Sequence, residues 1–146
     1  MFSKILVPVD FSSYTDHILR YAMEIARRFS SSLHLIHVIP NLDYFAPYEA
    51  FMAAGAIVTV QKGVEVEVRK DLGEVAGRIA GIGVTQAIRT GTAFVEIINY
   101  VEEQGIDLVV MGTHGRGRLE HILMGSVAEK VVRRSPCPVL TIRPPA

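Results

Sequence analysis

Short, continuously apolar runs alternate along the chain with longer segments in which apolar residues recur every three or four positions. Continuous apolar runs rich in β-branched residues are typical of strands that are buried on both faces of a sheet. The longer segments have the period of amphipathic helices, which bury one face against a neighbour. The pattern predicts strands at 2–9, 33–39, 84–90, 106–111 and 138–143, and helices that end near Phe29 or span 93–104 and 126–135.

Serine residues stand where two of these helices begin. Ser12 or Ser13 can cap the first helix, because Asp16 follows Ser13 at the spacing of a capping box. Ser126 and Glu129 have the same spacing at the start of the last helix. We therefore expect a serine side chain to satisfy the first free N–H groups of each helix.

The segment from 40 to 83 fits two patterns. VTVQKGVEVEV at 58–68 alternates at period two and can form a hairpin that turns at Lys62 and Gly63. A helical pattern covers the same residues and continues further along the chain, so we predict one long helix, while the conformation of 41–60 stays open. The apolar face of this helix would consist of Val64, Val68, Leu72, Val75 and Ile79.

Alternation of strands and helices determines the predicted fold class. Such an order predicts a parallel sheet with helices on both faces, a three-layer α/β sandwich. The chain has no internal repeat and no break in composition, so we expect a single domain over 1–146. Ligands of such sheets bind outside the carboxyl ends of the strands, where the strand order reverses. Asp10 and Gly112 would meet at that edge if the first and fourth strands are neighbours.

Composition narrows the class of protein. Fifteen basic and fifteen acidic side chains give a formal net charge of zero, which argues against a general nucleic-acid binder. No apolar stretch reaches the roughly 18 residues of a membrane span, and the first residues fit a strand better than a signal peptide. Cys137 is the only cysteine and cannot form an intramolecular disulfide. We expect a cytoplasmic protein that binds neither nucleic acid nor membrane.

A glycine-rich loop, GTHGRGRLEHILMGS at 112–126, joins a predicted strand to a predicted helix. Glycine lets the backbone approach a ligand closely, and a helix N-terminus offers unpaired N–H groups, so the combination suits a phosphate. Arg116 and Arg118 add positive charge. The loop is neither a Walker A loop, which needs GK[ST], nor a dinucleotide fingerprint, because Glu120 occupies the place of the third glycine. From the residues alone, a tight connection without a ligand is an equal alternative.

The spacing of this loop resembles a known signature. Gly112, Gly115, Gly125 and Ser126 match the pattern G-2x-G-9x-G(S/T) of the universal stress protein family at every position. The resemblance extends to KILVPVDFS near the start, to HVIP at the end of the second strand and to ILMGSVAEKVVRRSPCPVLTIR near the end. It covers nearly the whole chain and is weakest at 41–83.

This resemblance implies a Rossmann-like fold with five parallel strands in the order 3-2-1-4-5 and a site for ATP, or for ADP or AMP. It places Asp10 near the ribose and phosphates, Val38 at the adenine through its backbone, and Met111 and Gly112 along the ribose and adenine. Asp10 could also hold Mg²⁺ together with phosphate oxygens. The phosphates would be held by Gly115, Gly125, Ser126 and Val127, and the site is completed by Pro8, Val9, His114 and Arg116.

Each of these residues also has a purely structural alternative. Asp10 and Ser126 can simply cap helices. The histidine pairs at 34 and 37 and at 114 and 121 do not form a metal set, so we expect structural roles for them. Cys137 fits a small buried apolar position.

Three functions are compatible with the sequence. The first is an ATP-binding regulatory protein of the stress response, a switch or sensor with an unknown protein partner. The second is a slow ATPase, although no general base or arginine finger stands out. The third is a dimeric interaction protein with an empty pocket, whose loop would be expected to carry bulky residues instead of glycines.

The last predicted strand is expected at an edge of the sheet, where an uncovered strand invites pairing. The resemblance points in the same direction, to a homodimer joined through 138–143. The alternative is a monomer whose edge is protected by Arg143, Pro144 and Pro145.

Overall fold

The computed structural model describes residues 1–41, 54–115 and 124–145, with side chains left undescribed at 54–59. These residues form five strands and four helices in alternation. In chain order the elements are β1 (Lys4–Pro8), α1 (Thr15–Phe29), β2 (Ser32–Ile39), α2 (Ala54–Gly77), β3 (Val84–Thr90), α3 (Ala93–Gln104), β4 (Leu108–Gly112), α4 (Ser126–Arg134) and β5 (Val139–Ile142).

The five strands form one parallel sheet, as the sequence predicted, and their order is β3-β2-β1-β4-β5, as the resemblance implied. Leu6 of β1 is in register with His34 of β2 on one side and with Val109 of β4 on the other. β1 is therefore the central strand, and both of its neighbours run parallel to it. The strand order reverses at β1, and the carboxyl ends of β1 and β4 lie side by side.

Side chains that alternate along β1 enter two separate apolar clusters. Ile5 and Val7 pack with Ile18 of α1 and Leu72 of α2 on one face of the sheet. Leu6 faces the opposite side, where the second cluster contains residues of α3 and α4. Strands buried on both faces explain why the sequence shows continuous apolar runs instead of polar alternation.

The long segment before β3 forms a helix, so the hairpin alternative is wrong. α2 runs from Ala54 to Gly77 and buries Leu72 and Val75 against the sheet. The helix includes all of 58–68, and its period of three to four residues places Leu72 and Val75 on one face. Residues 42–53 of the open stretch lie outside the described residues.

The ends of several elements differ from the predicted ranges by one or two residues. β4 begins at Leu108 instead of residue 106, because the Ile106 N–H donates to the Val101 carbonyl and still belongs to the turn that ends α3. The predicted cap of α1 is also wrong: its N-cap is Tyr14, and no side chain caps it. The Ser12 hydroxyl instead accepts from the Tyr14 N–H in the preceding turn, at 3.3 Å.

A buried histidine–tyrosine pair connects β2 to α3. His34 is 6% exposed, and its Nδ1 lies 2.8 Å from the hydroxyl of Tyr100. Burial, aided by the charge of Lys4, lowers the pKa of His34 below its usual value, and burial raises the pKa of Tyr100. Both shifts favour the neutral forms.

Of the described helices, none is long and apolar enough to cross a membrane.

We expect His34 to make stability depend on pH. Because its pKa is lower in the folded chain, the unfolded chain binds a proton more readily below about pH 6.5. The stability that neutral His34 contributes is therefore fully present above that value and is lost as the pH falls through the pKa of His34 in the folded chain. Urea unfolding at about pH 8 and about pH 5.5 should show a smaller acid loss in His34→Gln than in the wild type. Equal losses in the two proteins would contradict this role.

Candidate functional site

A cavity of about 600 Å³ opens at the carboxyl ends of β1 and β4, where the strand order reverses. Its volume is within the range of about 300–1,000 Å³ found for small-molecule sites. The walls come from the residues that follow β1, from the second half of β2, from the end of β4 and from the first turn of α4. The topology of the sheet alone brings these four segments together.

Every predicted site residue that the structure describes lines this cavity. The expectation that Asp10 and Gly112 meet at the edge of the sheet is confirmed, because β1 and β4 are paired and both residues are in the wall. Arg116 lies outside the described residues, as does Arg118. The predicted residues in the wall are Pro8, Val9, Asp10, Val38, Met111, Gly112, His114, Gly115, Gly125, Ser126 and Val127.

Several lining residues were not predicted. Thr113 stands between two predicted residues, and Ala128 and Glu129 complete the first turn of α4, so their positions in the quoted loop and helix were an available signal. His37 was assigned a structural role only. Met124 belongs to the same quoted loop, directly before Gly125. The remaining unpredicted residues belong to helices or strands that pass the cavity, and nothing in their spacing singles them out: Ile18, Ile36, Ala93 and Ile97.

Asp10 lies in the cavity wall, two residues beyond the end of β1. Its Oδ1 accepts a hydrogen bond of 2.9 Å from the Ser12 N–H, so the side chain stabilises the turn after β1 and does not cap α1. Its Oδ2 would be 2.9 Å from a Cβ built on Gly115. Real Cβ atoms do not approach other atoms so closely, so a side chain at position 115 would displace this carboxylate.

The two ends of the glycine-rich loop are tied together by Thr113, which is 4% exposed. Its carbonyl accepts a hydrogen bond of 2.6 Å from the Gly125 N–H, and its own N–H donates to the Ile142 carbonyl of β5 at 3.0 Å. A Cβ on Gly125 would be 3.2 Å from the same Thr113 carbonyl oxygen. A glycine at position 125 therefore allows the first turn of α4 to lie directly against the exit of β4.

The first turn of α4 presents free backbone donors to the cavity. Gly125 is the N-cap residue, in an extended conformation, and its carbonyl accepts from the Glu129 N–H at 3.0 Å. No side chain caps the helix, so the predicted capping box of Ser126 and Glu129 is wrong. In the described part of the chain, the N–H groups of Ser126, Val127 and Ala128 and the Ser126 hydroxyl make no hydrogen bond.

These donors suit an anion. Three unpaired N–H groups at the N-terminus of a helix carry a partial positive charge and converge on one volume. All three residues line the cavity. The wall also contains apolar side chains, among them Val38, Met111 and Ile97. The cavity thus combines donors suited to an anion with apolar surface suited to a flat ring.

Among the described residues of the cavity wall, the ionisable side chains are two carboxylates and two histidines. Glu129 is paired with Arg133 at 3.0 Å on the surface of α4, while Asp10 faces Gly115. Within the described ranges, no group of three or more His, Cys, Asp or Glu residues could hold a metal ion. A cation here would therefore need ligand atoms from the bound molecule itself.

Known proteins resemble this chain both in sequence and in fold. The model of the universal stress protein family matches residues 1–143. Universal stress protein MJ0531 of Methanocaldococcus jannaschii is 30% identical over an aligned length of 147, and the alignment covers 99% of this chain and 84% of that protein. The solved structure of MJ0577 from the same organism has a TM-score of 0.87 at 27% identity and covers 100% of this chain and 99% of its own.

A more distant structure carries a ligand. The universal stress protein from Archaeoglobus fulgidus, solved in complex with dAMP, has a TM-score of 0.62 and 20% identity, and covers 97% of this chain and 99% of its own. At that identity the likeness concerns the fold alone.

Proposed function

Because the chain belongs to the universal stress protein family, we propose that it is an adenine-nucleotide-binding regulatory protein of the stress response. It would act as a nucleotide-dependent switch or sensor in a single domain over 1–146. The observation that carries this proposal is the cluster of unpaired N–H groups at Ser126, Val127 and Ala128 on the wall of the cavity. A phosphate is the anion best matched to such a helix N-terminus next to glycine.

The proposed orientation follows from the polar and apolar residues of the cavity wall. The phosphates bind at the start of α4, with the Ser126 hydroxyl as a further donor, since it is not used as a cap. The adenine lies beside the apolar side chains of Val38 and Met111. Asp10 lies close to the ribose and the first phosphates, as the resemblance implies. The dAMP complex of the Archaeoglobus relative supports a site of this kind in the fold.

A divalent cation would have one protein ligand in this arrangement. We propose that Mg²⁺, when it accompanies ATP, is held by the Asp10 carboxylate together with phosphate oxygens and water, since magnesium usually takes only one or two carboxylates. Any hydrolysis is expected to be slow, because no general base and no arginine finger stand out in the sequence.

Equilibrium dialysis with labelled ATP, ADP, AMP and GTP tests the proposal. We expect the adenine nucleotides to be retained more strongly than GTP, and excess EDTA to weaken ATP more than AMP. No retention at about millimolar nucleotide would overturn the proposed function. Phosphate release is followed in the same samples, and turnover near the common enzyme value of about 10 per second would replace the regulatory role with an ATPase.

We also propose a homodimer joined through 138–143. β5 is an edge strand of the sheet, and its Leu140 is 37% exposed. The Pro138 carbonyl accepts from Val109 and the Ile142 carbonyl accepts from Thr113, both on the β4 side. Since neighbouring residues of a strand bond to opposite sides, the N–H and carbonyl of Thr141 face the open edge, where a second copy could pair.

A further inference from the structure

His37 of β2 fixes the chain where it leaves β1. The Val9 carbonyl can only accept, so the His37 Nδ1 carries the proton and donates to it, at 2.6 Å. The Val9 N–H donates to the Ile36 carbonyl at 2.8 Å. Both polar backbone groups of Val9 are therefore bonded to β2, one of them through a side chain. The turn that begins at the next residue, Asp10, therefore follows a residue whose backbone is held in place.

The same imidazole also contacts the residue on the other side of Asp10. Phe11 has a φ of 59°, in the left-handed region that costs a side-chain-bearing residue about 1–2 kcal/mol. Its ring lies against the His37 ring, with centroids 4.6 Å apart and planes inclined by 34°. Such a backbone conformation persists only where neighbouring contacts hold it. His37 thus contacts both Val9 and Phe11.

Asp10 is held between these two contacts. Its Oδ1 accepts from the Ser12 N–H, and its Oδ2 is directed to the space beside Gly115 that a Cβ would fill. A shift of about 1 Å in the turn would change the place of the carboxylate relative to the glycine loop. We propose that His37 is a positioning residue, whose Nδ1–H bond to the Val9 carbonyl places the Asp10 carboxylate in the nucleotide cavity. This inference rests on the proposed function.

Two substitutions remove the imidazole ring and differ in whether a donor remains at the Nδ1 position. The side-chain N–H₂ of asparagine occupies the place of His Nδ1, whereas that of glutamine occupies the place of Nε2. His37→Asn should therefore retain the bond to the Val9 carbonyl, and His37→Gln should lose it. A merely space-filling residue would tolerate glutamine, the larger of the two, at least as well.

One arm of the experiment uses the chain without nucleotide. Hydrogen exchange of the Ser12 N–H, followed by NMR, reports its bond to Asp10. We expect exchange to be about 10-fold faster in His37→Gln and close to the wild type in His37→Asn, as for the loss of one hydrogen bond. Equal exchange in both variants overturns the positioning role. A glutamine variant that no longer folds does so too, because the proposal requires a folded chain with a displaced carboxylate.

The second arm measures ATP affinity. We expect the dissociation constant to rise about 10-fold in His37→Gln and by less than about threefold in His37→Asn. Equal affinities in the two variants, with a wild type that binds, overturn the inference and leave the proposed function intact. A wild type that does not bind ATP overturns the proposed function, while the exchange of Ser12 still decides whether His37 positions Asp10.

Discussion

Replacing Gly125 with valine is expected to lower ATP affinity by at least about 100-fold in a chain that still folds. The position allows a side chain by its backbone angles, φ −70° and ψ 161°, so the substitution introduces no left-handed strain. The effect is steric: the Cβ would be 3.2 Å from the Thr113 carbonyl oxygen, which is a tight contact, and 3.7 Å from the His114 Cα, which is an ordinary contact that leaves little room for the two methyl groups of valine. Both neighbours are backbone atoms, which cannot rotate away as a flexible side chain can.

The expected size follows from the bonds that would be lost. The branched side chain pushes the first turn of α4 away from the exit of β4 and fills part of the space where its N–H groups would meet phosphate. Two hydrogen bonds to a charged group, at about 1.5–3 kcal/mol each, correspond to a loss of at least about 100-fold. Titration calorimetry with ATP measures it, and Gly125→Ala should show a smaller loss because it adds a single methyl group.

Gly83→Val is the matched control. This glycine lies outside the cavity, has no positive φ, and a Cβ there would meet no heavy atom within 4 Å. It should bind ATP as the wild type does. Circular dichroism and the thermal midpoint establish that both valine variants are folded. A folded Gly125→Val chain with undiminished affinity would show that the phosphates do not bind at the start of α4.

Local pattern was enough to predict the layers of the fold, whereas most of the predicted residues of the cavity wall came from the resemblance. Periodicity identified α2 as a helix because Leu72 and Val75 follow the sheet-facing stripe over several turns. The strand order came from the resemblance, since no local pattern records which strands are neighbours. The spacing of Gly112, Gly115 and Gly125 singled out the loop whose described residues line the cavity.

The errors have a common physical cause: hydrogen bonds between residues far apart in the chain determine helix caps and side-chain roles. Ser126 and Glu129 have capping-box spacing, yet that spacing does not say whether the serine precedes the helix or begins it. Gly125 becomes the N-cap because its N–H is held by the Thr113 carbonyl, twelve positions earlier in the chain. His37 was missed for the same reason. Its partner is the backbone carbonyl of Val9, directly after β1, to which no side-chain pattern points.

Replacing Thr141 with proline should convert the proposed dimer to a monomer. The Thr141 N–H faces away from β4, so proline removes a donor at the open edge and leaves the bonds between β4 and β5 in place. Proline is tolerated on edge strands for this reason, and its ring obstructs a second strand. Sedimentation at equal concentration should show a mass near twice 16.1 kDa for the wild type and near 16.1 kDa for the variant.

The opposite edge of the sheet supplies the control. Leu33 donates to the Gly83 carbonyl, so the N–H of Gln86, at an odd spacing from Gly83, faces away from β2 on the outer side of β3. Gln86→Pro therefore removes an equivalent outward donor from the other edge strand and should leave the dimer unchanged. A dimer that survives in Thr141→Pro but dissociates in Gln86→Pro would place the interface at β3, and a monomeric wild type would remove the dimer from the proposal altogether.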